Sequence, residues 1–157
     1  GVNTHNPNKI IQEAINNKEI KELLNYKTLK REVKYGVNSK IDIFLQDDNK
    51  ADCYVEIKNV HLSRKKSLAE FPDGITSRGT KHLKELANVA QAGGRAVMLY
   101  LIQRNDCNSF KIAEDIDVEY GKAFIEAINA GVEVICIDTI LSTTEINIGK
   151  NIKLLNN

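Results

Sequence analysis

A run of seven apolar residues, at positions 96–102, constrains the fold more than any other feature of this sequence. A strand that is apolar on both sides must be covered on both sides, and this happens in a sheet that is flanked by helices. A second run, at positions 132–137, is apolar except for Glu133 and repeats the pattern. The sequence therefore predicts two buried strands in a sheet with helices packed against it.

Two stretches with helical spacing lie on either side of the first apolar run. One is predicted to begin at Thr76 or Ser77, which can cap a helix, and to run to about Ala92. The other is predicted to begin after Asp117 and to end at Gly131. Its inner side is predicted to carry Phe124, Ile125 and Ile128.

The N-terminal half of the chain predicts a helix that starts at Pro7, followed by three strands at about residues 27–35, 40–45 and 53–59. Residues two apart share a face of a strand, so each strand should have one apolar and one polar face. The apolar faces of the first two strands would then hold Leu29, Val33 and Tyr35, and Ile41 and Ile43.

The remaining segments complete a prediction of the fold class. Residues 61–70 are predicted to form an irregular basic segment, and residues 145–155 a short pair of strands. The order of strands and helices indicates an α/β (α+β) fold, with a mixed central β-sheet flanked by helices. The chain has 157 residues and neither a linker nor an internal repeat, so we expect residues 1–157 to form a single domain.

The composition excludes several classes of protein. The formal net charge of +1 gives no overall attraction to nucleic acid, so binding would need a local basic patch. No apolar run is long enough to span a membrane, and no phosphate-loop or zinc-protease motif points to a small-molecule cofactor. The three cysteines lack zinc spacing and suit a reduced compartment, so we expect a cytoplasmic protein. The sequence leaves a homo-oligomer open.

The polar faces of the second and third strands carry the strongest chemical signal. If these strands pair as a hairpin in the right register, the carboxylates of Asp42 and Glu56 meet the ammonium of Lys58. Two carboxylates could hold Mg2+ or Mn2+ and leave positions open for water and a phosphate oxygen. Lys58 could orient the water or stabilise developing negative charge. The competing interpretation is a solvated strand face, on which Glu-x-Lys is common.

Two further carboxylates are candidate metal ligands. Glu32 lies on the polar face of the strand before Asp42, and Glu13 lies on the first helix. The alternatives are an ion pair of Glu32 with Lys34 or Lys40, and a solvated helix face for Glu13.

Basic residues cluster after the Glu56 strand. Arg78, Lys81 and His82 lie at the predicted start of a helix, where free N–H groups and the helix dipole favour a phosphate. The alternative is an exposed helix face. Arg104 follows the first apolar run and either points into the site or begins a loop.

Many short motifs together resemble the sugar fermentation stimulation protein A family, and they cover nearly the whole chain. They are Gly1-Val2-Asn3-Thr4, Pro7-Asn8-Lys9, Arg31-Glu32-Val33-Lys34-Tyr35-Gly36, Ser39-Lys40-Ile41-Asp42, Cys53-Tyr54-Val55-Glu56-Ile57-Lys58-Asn59-Val60, Phe71-Pro72-Asp73, Thr76-x-Arg78-Gly79-x-Lys81-His82-Leu83 and Gln103-Arg104.

The resemblance implies a C-terminal domain with a restriction-endonuclease-like PD-(D/E)XK core. In that fold an acid and Glu-x-Lys carry Mg2+-dependent phosphodiester cleavage, and the roles would fall on Asp42, Glu56, Lys58 and the helix acid Glu13. Family members usually begin with an OB-like barrel, to which nothing here corresponds. The resemblance implies DNA as the partner, with two alternatives: a metal-dependent nuclease, or a DNA-binding regulator of sugar (maltose) metabolism on a nuclease scaffold.

Overall fold

The elements of the fold come from a computed structural model that describes residues 6–155, so the first of the family motifs lies outside the described residues. The helices are α1 (Pro7–Asn16), α2 (Ser77–Gln91) and α3 (Val118–Ala130), with a short 3-10 helix at Lys21–Leu23. The strands are β1 (Thr28–Tyr35), β2 (Ser39–Asp47), β3 (Lys50–Val60), β4 (Leu62–Lys65), β5 (Leu68–Phe71), β6 (Arg95–Ile102), β7 (Ser109–Ile112), β8 (Glu133–Leu141), β9 (Ile146–Asn151) and β10 (Lys153–Leu154).

Six strands form the main sheet in the order β1-β2-β3-β6-β8-β9. The first three are antiparallel neighbours, whereas β3, β6 and β8 run parallel and β9 is antiparallel to β8. Every residue of the apolar run at 96–102 is buried. The predicted mixed sheet, its helix-flanked architecture and its leading three-stranded meander are therefore confirmed.

The two faces of this sheet bury separate cores. On one face α1 and the 3-10 helix cover Ile43, Val55 and Leu99. On the other face α2 and α3 cover Met98 and Tyr100. Apolar burial on this scale is the main force that holds the helices to the sheet.

Helix α3 begins and ends as predicted, because Asp117 accepts a hydrogen bond from the Tyr120 N–H and Gly131 takes a left-handed conformation. Its predicted inner face is wrong for Ile125 and Ile128, which are 52% and 40% exposed. The buried stripe is instead Tyr120, Ala123, Phe124 and Ala127. The small alanines let α2 approach α3 closely, and the Tyr120 hydroxyl lies 2.5 Å from that of Tyr100 in the core.

The prediction for residues 61–70 is wrong, because β4 and β5 form a hairpin there. They belong to a second sheet, in the order β10-β7-β5-β4, in which β5 pairs in parallel with β7. The segment does not alternate apolar and polar residues, so its sequence does not indicate strands. A bidentate ion pair between Arg64 and the buried Glu70 helps to hold the hairpin. The tail does form strands, but β9 pairs with β8 and β10 pairs with β7.

All three cysteines are buried and free. Within residues 6–155, none of the helices combines the length and the apolar character that crossing a bilayer requires.

Candidate functional site

The second and third strands of the sheet separate at Asp42. Their pairing extends from the turn only as far as Ile43 and Val55. Beyond this point β2 pairs only with β1, and β3 pairs only with β6. The Asp42 carboxylate fills the gap, because its Oδ2 accepts a hydrogen bond of 2.8 Å from the Ile57 N–H.

A local irregularity in β1 and β2 places the carboxylate there. Ile41 and Ile43 were expected on one face, yet they pack into the cores on opposite faces of the sheet. Leu29 and Val33 on β1 are split in the same way. Glu32 lies at the position across from Asp42 and has a left-handed φ of 55°. In both strands, the alternation of side chains between the two faces of the sheet therefore shifts by one residue at Glu32 and Asp42. The Asp42 side chain consequently points into the gap between β2 and β3.

Asp42 is partly buried, and helix α1 contributes to its environment. The side-chain amide of Asn8, in the first turn of α1, donates to Asp42 Oδ1 over 3.0 Å. Burial is the largest cause, and the nearby Glu56 carboxylate the second, of a rise in the pKa of Asp42 to about 6. The two hydrogen bonds favour the charged form of Asp42 and offset part of this rise. Asp42 and Glu56 thus lie side by side with little water to screen them.

Glu56 is 3% exposed. Its Oε2 lies 3.1 Å from His82 Nδ1 and 3.4 Å from Lys58 Nζ. Burial raises the pKa of Glu56, but the hydrogen bond from His82 and the charge of Lys58 outweigh it, so the pKa is below its ordinary value. Its other oxygen, Oε1, is buried and has no hydrogen-bond partner among the described residues. Glu56 is therefore the ionised member of the pair, and it lies within hydrogen-bonding reach of the Asp42 carboxyl group.

His82 links the acid and the lysine. Its Nδ1 is 3.1 Å from Lys58 Nζ as well as 3.1 Å from Glu56 Oε2. A ring nitrogen with a proton donates to Glu56, and one without a proton accepts from Lys58, so Nδ1 serves one partner at a time. The imidazole is only 4% exposed, and this burial fixes it against both groups.

The donor set fits a hard divalent cation. Two neighbouring carboxylates supply oxygen ligands, and Oε1 of Glu56 has no hydrogen-bond partner among the described residues. Within residues 6–155, no three His, Cys, Asp or Glu side chains are grouped to hold a metal ion. A cation bound by Asp42 and Glu56 would therefore keep positions for water and for oxygens of a substrate, as Mg2+ does in phosphoryl-transfer sites.

The structure does not bring the two further acids into this cluster. Glu32 is exposed on β1, and its φ turns it out of regular strand geometry. Glu13 is exposed on α1 and lines a different cavity, of about 740 Å3, with the turn between β8 and β9. The first-turn residue that α1 directs at the site is Asn8.

The four residues predicted to bind nucleic acid fall in different environments. Arg78 and Lys81 are exposed on α2, and Lys81 Nζ donates to the Val37 carbonyl over 2.6 Å. His82 is buried against Glu56, because it lies on the face of α2 that packs on the sheet. Arg104 is half-buried, and its guanidinium pairs with Asp106 and donates to the His61 carbonyl.

Sequence reasoning missed Asn8 and Tyr35 as parts of the site. The Tyr35 hydroxyl is buried without a partner among the described residues, and the charges of Glu56, Glu85 and Asp42 add to burial in raising its pKa. The alternation of β1 predicts Tyr35 on its apolar face, which gives no hint that the hydroxyl lies near these acids. Asn8 follows Pro7 in one of the short family motifs, and that motif is the sequence feature that could have pointed to Asn8 as part of the site.

Comparisons with known proteins identify the family of this chain and agree with its fold. The model of the sugar fermentation stimulation protein RE domain matches residues 5–145. A sugar fermentation stimulation protein homolog from Roseobacter denitrificans is 50% identical over 139 residues, which are 88% of this chain and 59% of the relative. A homolog from Rhodospirillum centenum is 51% identical over 154 residues, which are 98% of this chain and 66% of the relative.

A solved structure is also similar: that of Pyrococcus furiosus SfsA in complex with Ca2+. It superimposes with a TM-score of 0.86 at 26% identity, over 94% of this chain and 63% of that one. The chain thus spans 59 to 66% of the length of these proteins. On the strength of the family match and the identity to its relatives, the chain belongs to the SfsA family.

Proposed function

We propose that this chain is a divalent-metal-dependent nuclease domain that hydrolyses phosphodiester bonds of DNA. The observation that carries the proposal is the pair of neighbouring, desolvated carboxylates at the point where two strands separate, with Oε1 of Glu56 unpartnered. Burial, and after it the charge of the neighbouring Glu56, raises the pKa of Asp42, and a cation bound between the two carboxylates would offset both effects.

Metal binding has support from the solved relative, since the structure of Pyrococcus furiosus SfsA is a complex with Ca2+. Ca2+ is a hard cation with oxygen ligands, like Mg2+ and Mn2+. We propose Mg2+ or Mn2+ as the working ion here, because nuclease chemistry suits a smaller ion that polarises its ligands more strongly. When bound, such an ion would lower the pKa of a water molecule and offset charge on the phosphate.

The side chains around the acids have separate roles in this proposal. Asp42 and Glu56 hold the ion, and Asn8 and the Ile57 N–H keep the Asp42 carboxylate in place. Lys58, in an ion pair with Glu56, is positioned to stabilise negative charge on the phosphate or to orient water. His82 is buried against both Glu56 and Lys58, and its Nδ1 can bond to either one of them. Arg78, Lys81 and Arg104 would bind phosphates farther along the nucleic acid.

The alternative is a DNA-binding regulator of sugar metabolism that has lost cleavage. The observation in its favour is that two carboxylates, and no third acid, are grouped among the described residues. Against it stands the cost of placing two carboxylates beside phosphate, since they repel it unless a cation intervenes. Because the net charge is only +1, both alternatives predict weak DNA binding that falls steeply with salt.

A cleavage assay separates the two functions. The protein is incubated with single- and double-stranded DNA plus Mg2+ or Mn2+, next to Asp42→Asn and an EDTA control. The nuclease proposal expects cleavage that requires the metal and is lost in Asp42→Asn. Cleavage that survives in Asp42→Asn would come from a contaminant, and metal-independent binding without cleavage would favour the regulator.

A further inference from the structure

Beyond Asp42, strands β1 and β2 continue as a two-stranded arm, which we define as residues 33–41. Their pairing runs to Tyr35 and Ser39, whereas β2 no longer pairs with β3. The last residues of β3, positions 56–60, continue along β6. The arm and the end of β3 thus separate from each other at Asp42.

Two lysines lie directly opposite each other on this arm. Lys34 pairs with Lys40 in the register of β1 and β2, and both are exposed. Val33 and Ile41 pack into the core under α2, so the alternation of the strands directs both lysines to the other face. Neither lysine side chain makes an ion pair or a hydrogen bond within the described part of the chain. Like charges in direct cross-strand register destabilise a hairpin, and here no acid offsets them.

Helix α2 holds the arm in place. The Glu85 carboxylate accepts hydrogen bonds from the Val37 N–H over 2.7 Å and from the Ser39 hydroxyl, and Lys81 donates to the Val37 carbonyl. Gly36 makes the close approach feasible, since it has a φ of 59° and a Cβ there would collide with the Glu85 carboxylate. The lysines are thus carried by a fixed element and border a cavity of about 470 Å3 along the arm.

We propose that Lys34 and Lys40 form a second phosphate site, which binds the DNA backbone beside the phosphodiester held at Asp42 and Glu56. The inference rests on the proposed function and extends its site along the strand. Lys40 is two residues from Asp42, about 7 Å along a strand. Because the lysines project away from α2 whereas Glu56 and Lys58 contact His82 on α2, a nucleic acid strand would reach both groups by crossing the edge of the arm. A polyanion is the ligand that removes the repulsion between the two lysines, and a rigid arm loses little entropy when it binds.

The test measures DNA binding separately from cleavage. Fluorescence anisotropy with a labelled DNA duplex is recorded in Ca2+ at salt concentrations from low to moderate. The variants are Lys34→Gln with Lys40→Gln, and a control with Lys65→Gln and Lys66→Gln, which removes two exposed charges from the β4–β5 turn. Each lost phosphate contact should lower the slope of log affinity against log salt by about 0.9. For the arm variant we expect the slope of log affinity against log salt to be smaller by roughly 1.8 and the affinity to be lower by on the order of tenfold. We expect neither quantity to change in the control.

A third variant, Lys34→Glu, distinguishes binding from folding. It converts the like-charged pair into an opposite-charged pair, so the melting temperature should stay level or rise while DNA affinity falls. Equal slopes for the arm variant and the control, in a protein that binds and cleaves DNA, would overturn the arm site and leave the nuclease proposal intact. A reduced slope without any metal-dependent cleavage would support the arm and contradict the nuclease. Absence of DNA binding in the wild type would overturn both.

Discussion

At the scale of single residues, the site is defined by the different environments of two acids that share it. Asp42 accepts two hydrogen bonds and still has a raised pKa, whereas Glu56 is more deeply buried and has a lowered pKa. His82 and Lys58 produce the difference, because both contact Glu56 Oε2. In the protein without metal, a proton that enters the pair therefore goes to Asp42.

This ordering predicts how metal binding depends on pH. An ion between the acids needs both of them charged, and the pKa of Asp42 is about 6. The rise in melting temperature that Ca2+ or Mg2+ produces should therefore be full above pH 7 and should disappear as the pH falls through about 6. The raised pKa also means that the folded state binds the Asp42 proton more tightly than the unfolded chain, so metal-free stability should fall as pH rises from about 4 to 6.

Thermal unfolding with and without metal, from pH 5 to 8, measures both effects. Glu56→Gln is the control, because it keeps the shape of the side chain and removes one charge. A metal effect that persists unchanged at pH 5, or that survives in Glu56→Gln, would contradict the assignment.

His82 should act on stability and on metal binding through Glu56. His82→Leu removes the partner of a buried carboxylate, and this typically costs about 1–3 kcal/mol of unfolding free energy. Without the His82 hydrogen bond the pKa of Glu56 should rise, so metal binding should be lost at a higher pH than in the wild type. His82→Asn can place a donor near Nδ1 and should restore part of both properties.

Urea unfolding and metal titrations across pH provide the readouts for these two variants. If His82→Leu lost stability but kept the wild-type pH profile of metal binding, His82 would have a packing role only.

At the scale of elements, the β1–β2 arm depends on one glycine. Gly36→Ala would introduce a Cβ against the Glu85 carboxylate at a left-handed φ. We expect a loss of about 1–3 kcal/mol in unfolding free energy, because strain adds to the broken contacts between the arm and α2. Gly93→Ala is the matched control, since its φ of 99° is also positive but nothing lies within 4 Å of its Cβ position.

Chemical denaturation compares the two glycine variants, and hydrogen exchange of the Val37 N–H reports on the arm. Faster exchange at Val37 is expected in Gly36→Ala and not in Gly93→Ala. Equal losses of stability with unchanged exchange would show that strain alone explains both variants.

The elements also show what sequence patterns could and could not predict. Long periodic stretches with clear caps, such as α2 behind Thr76, were predicted nearly to the residue. The β4–β5 hairpin was missed because it is held by the pairing of β5 with β7 and by the ion pair of Arg64. Neither interaction produces a periodic pattern of apolar residues in the sequence. The side-chain shift at Glu32 and Asp42 was also missed, since Ile41 and Ile43 look alike in sequence but bury into different cores.

At the scale of the whole molecule, four separate elements assemble the site: α1 supplies Asn8, β2 Asp42, β3 Glu56 and Lys58, and α2 His82. The sequence predicts that Asp42, Glu56 and Lys58 meet, because they lie on adjacent strands of one meander, and in the structure Glu56 lies beside Asp42 and pairs with Lys58. It could not predict that His82 is buried, since basic residues at a helix start usually face solvent. The role of His82 depends on how α2 packs across the sheet.

The central claim is that Asp42 and Glu56 share one divalent ion. The most direct test is an anomalous difference map from crystals of the protein soaked with Mn2+, recorded beside crystals of Glu56→Gln. We predict a single strong peak between the two carboxylates in the wild type and its loss in the variant. A peak in the cavity lined by Glu13 and Glu145, or a peak that remains in Glu56→Gln, would contradict the account.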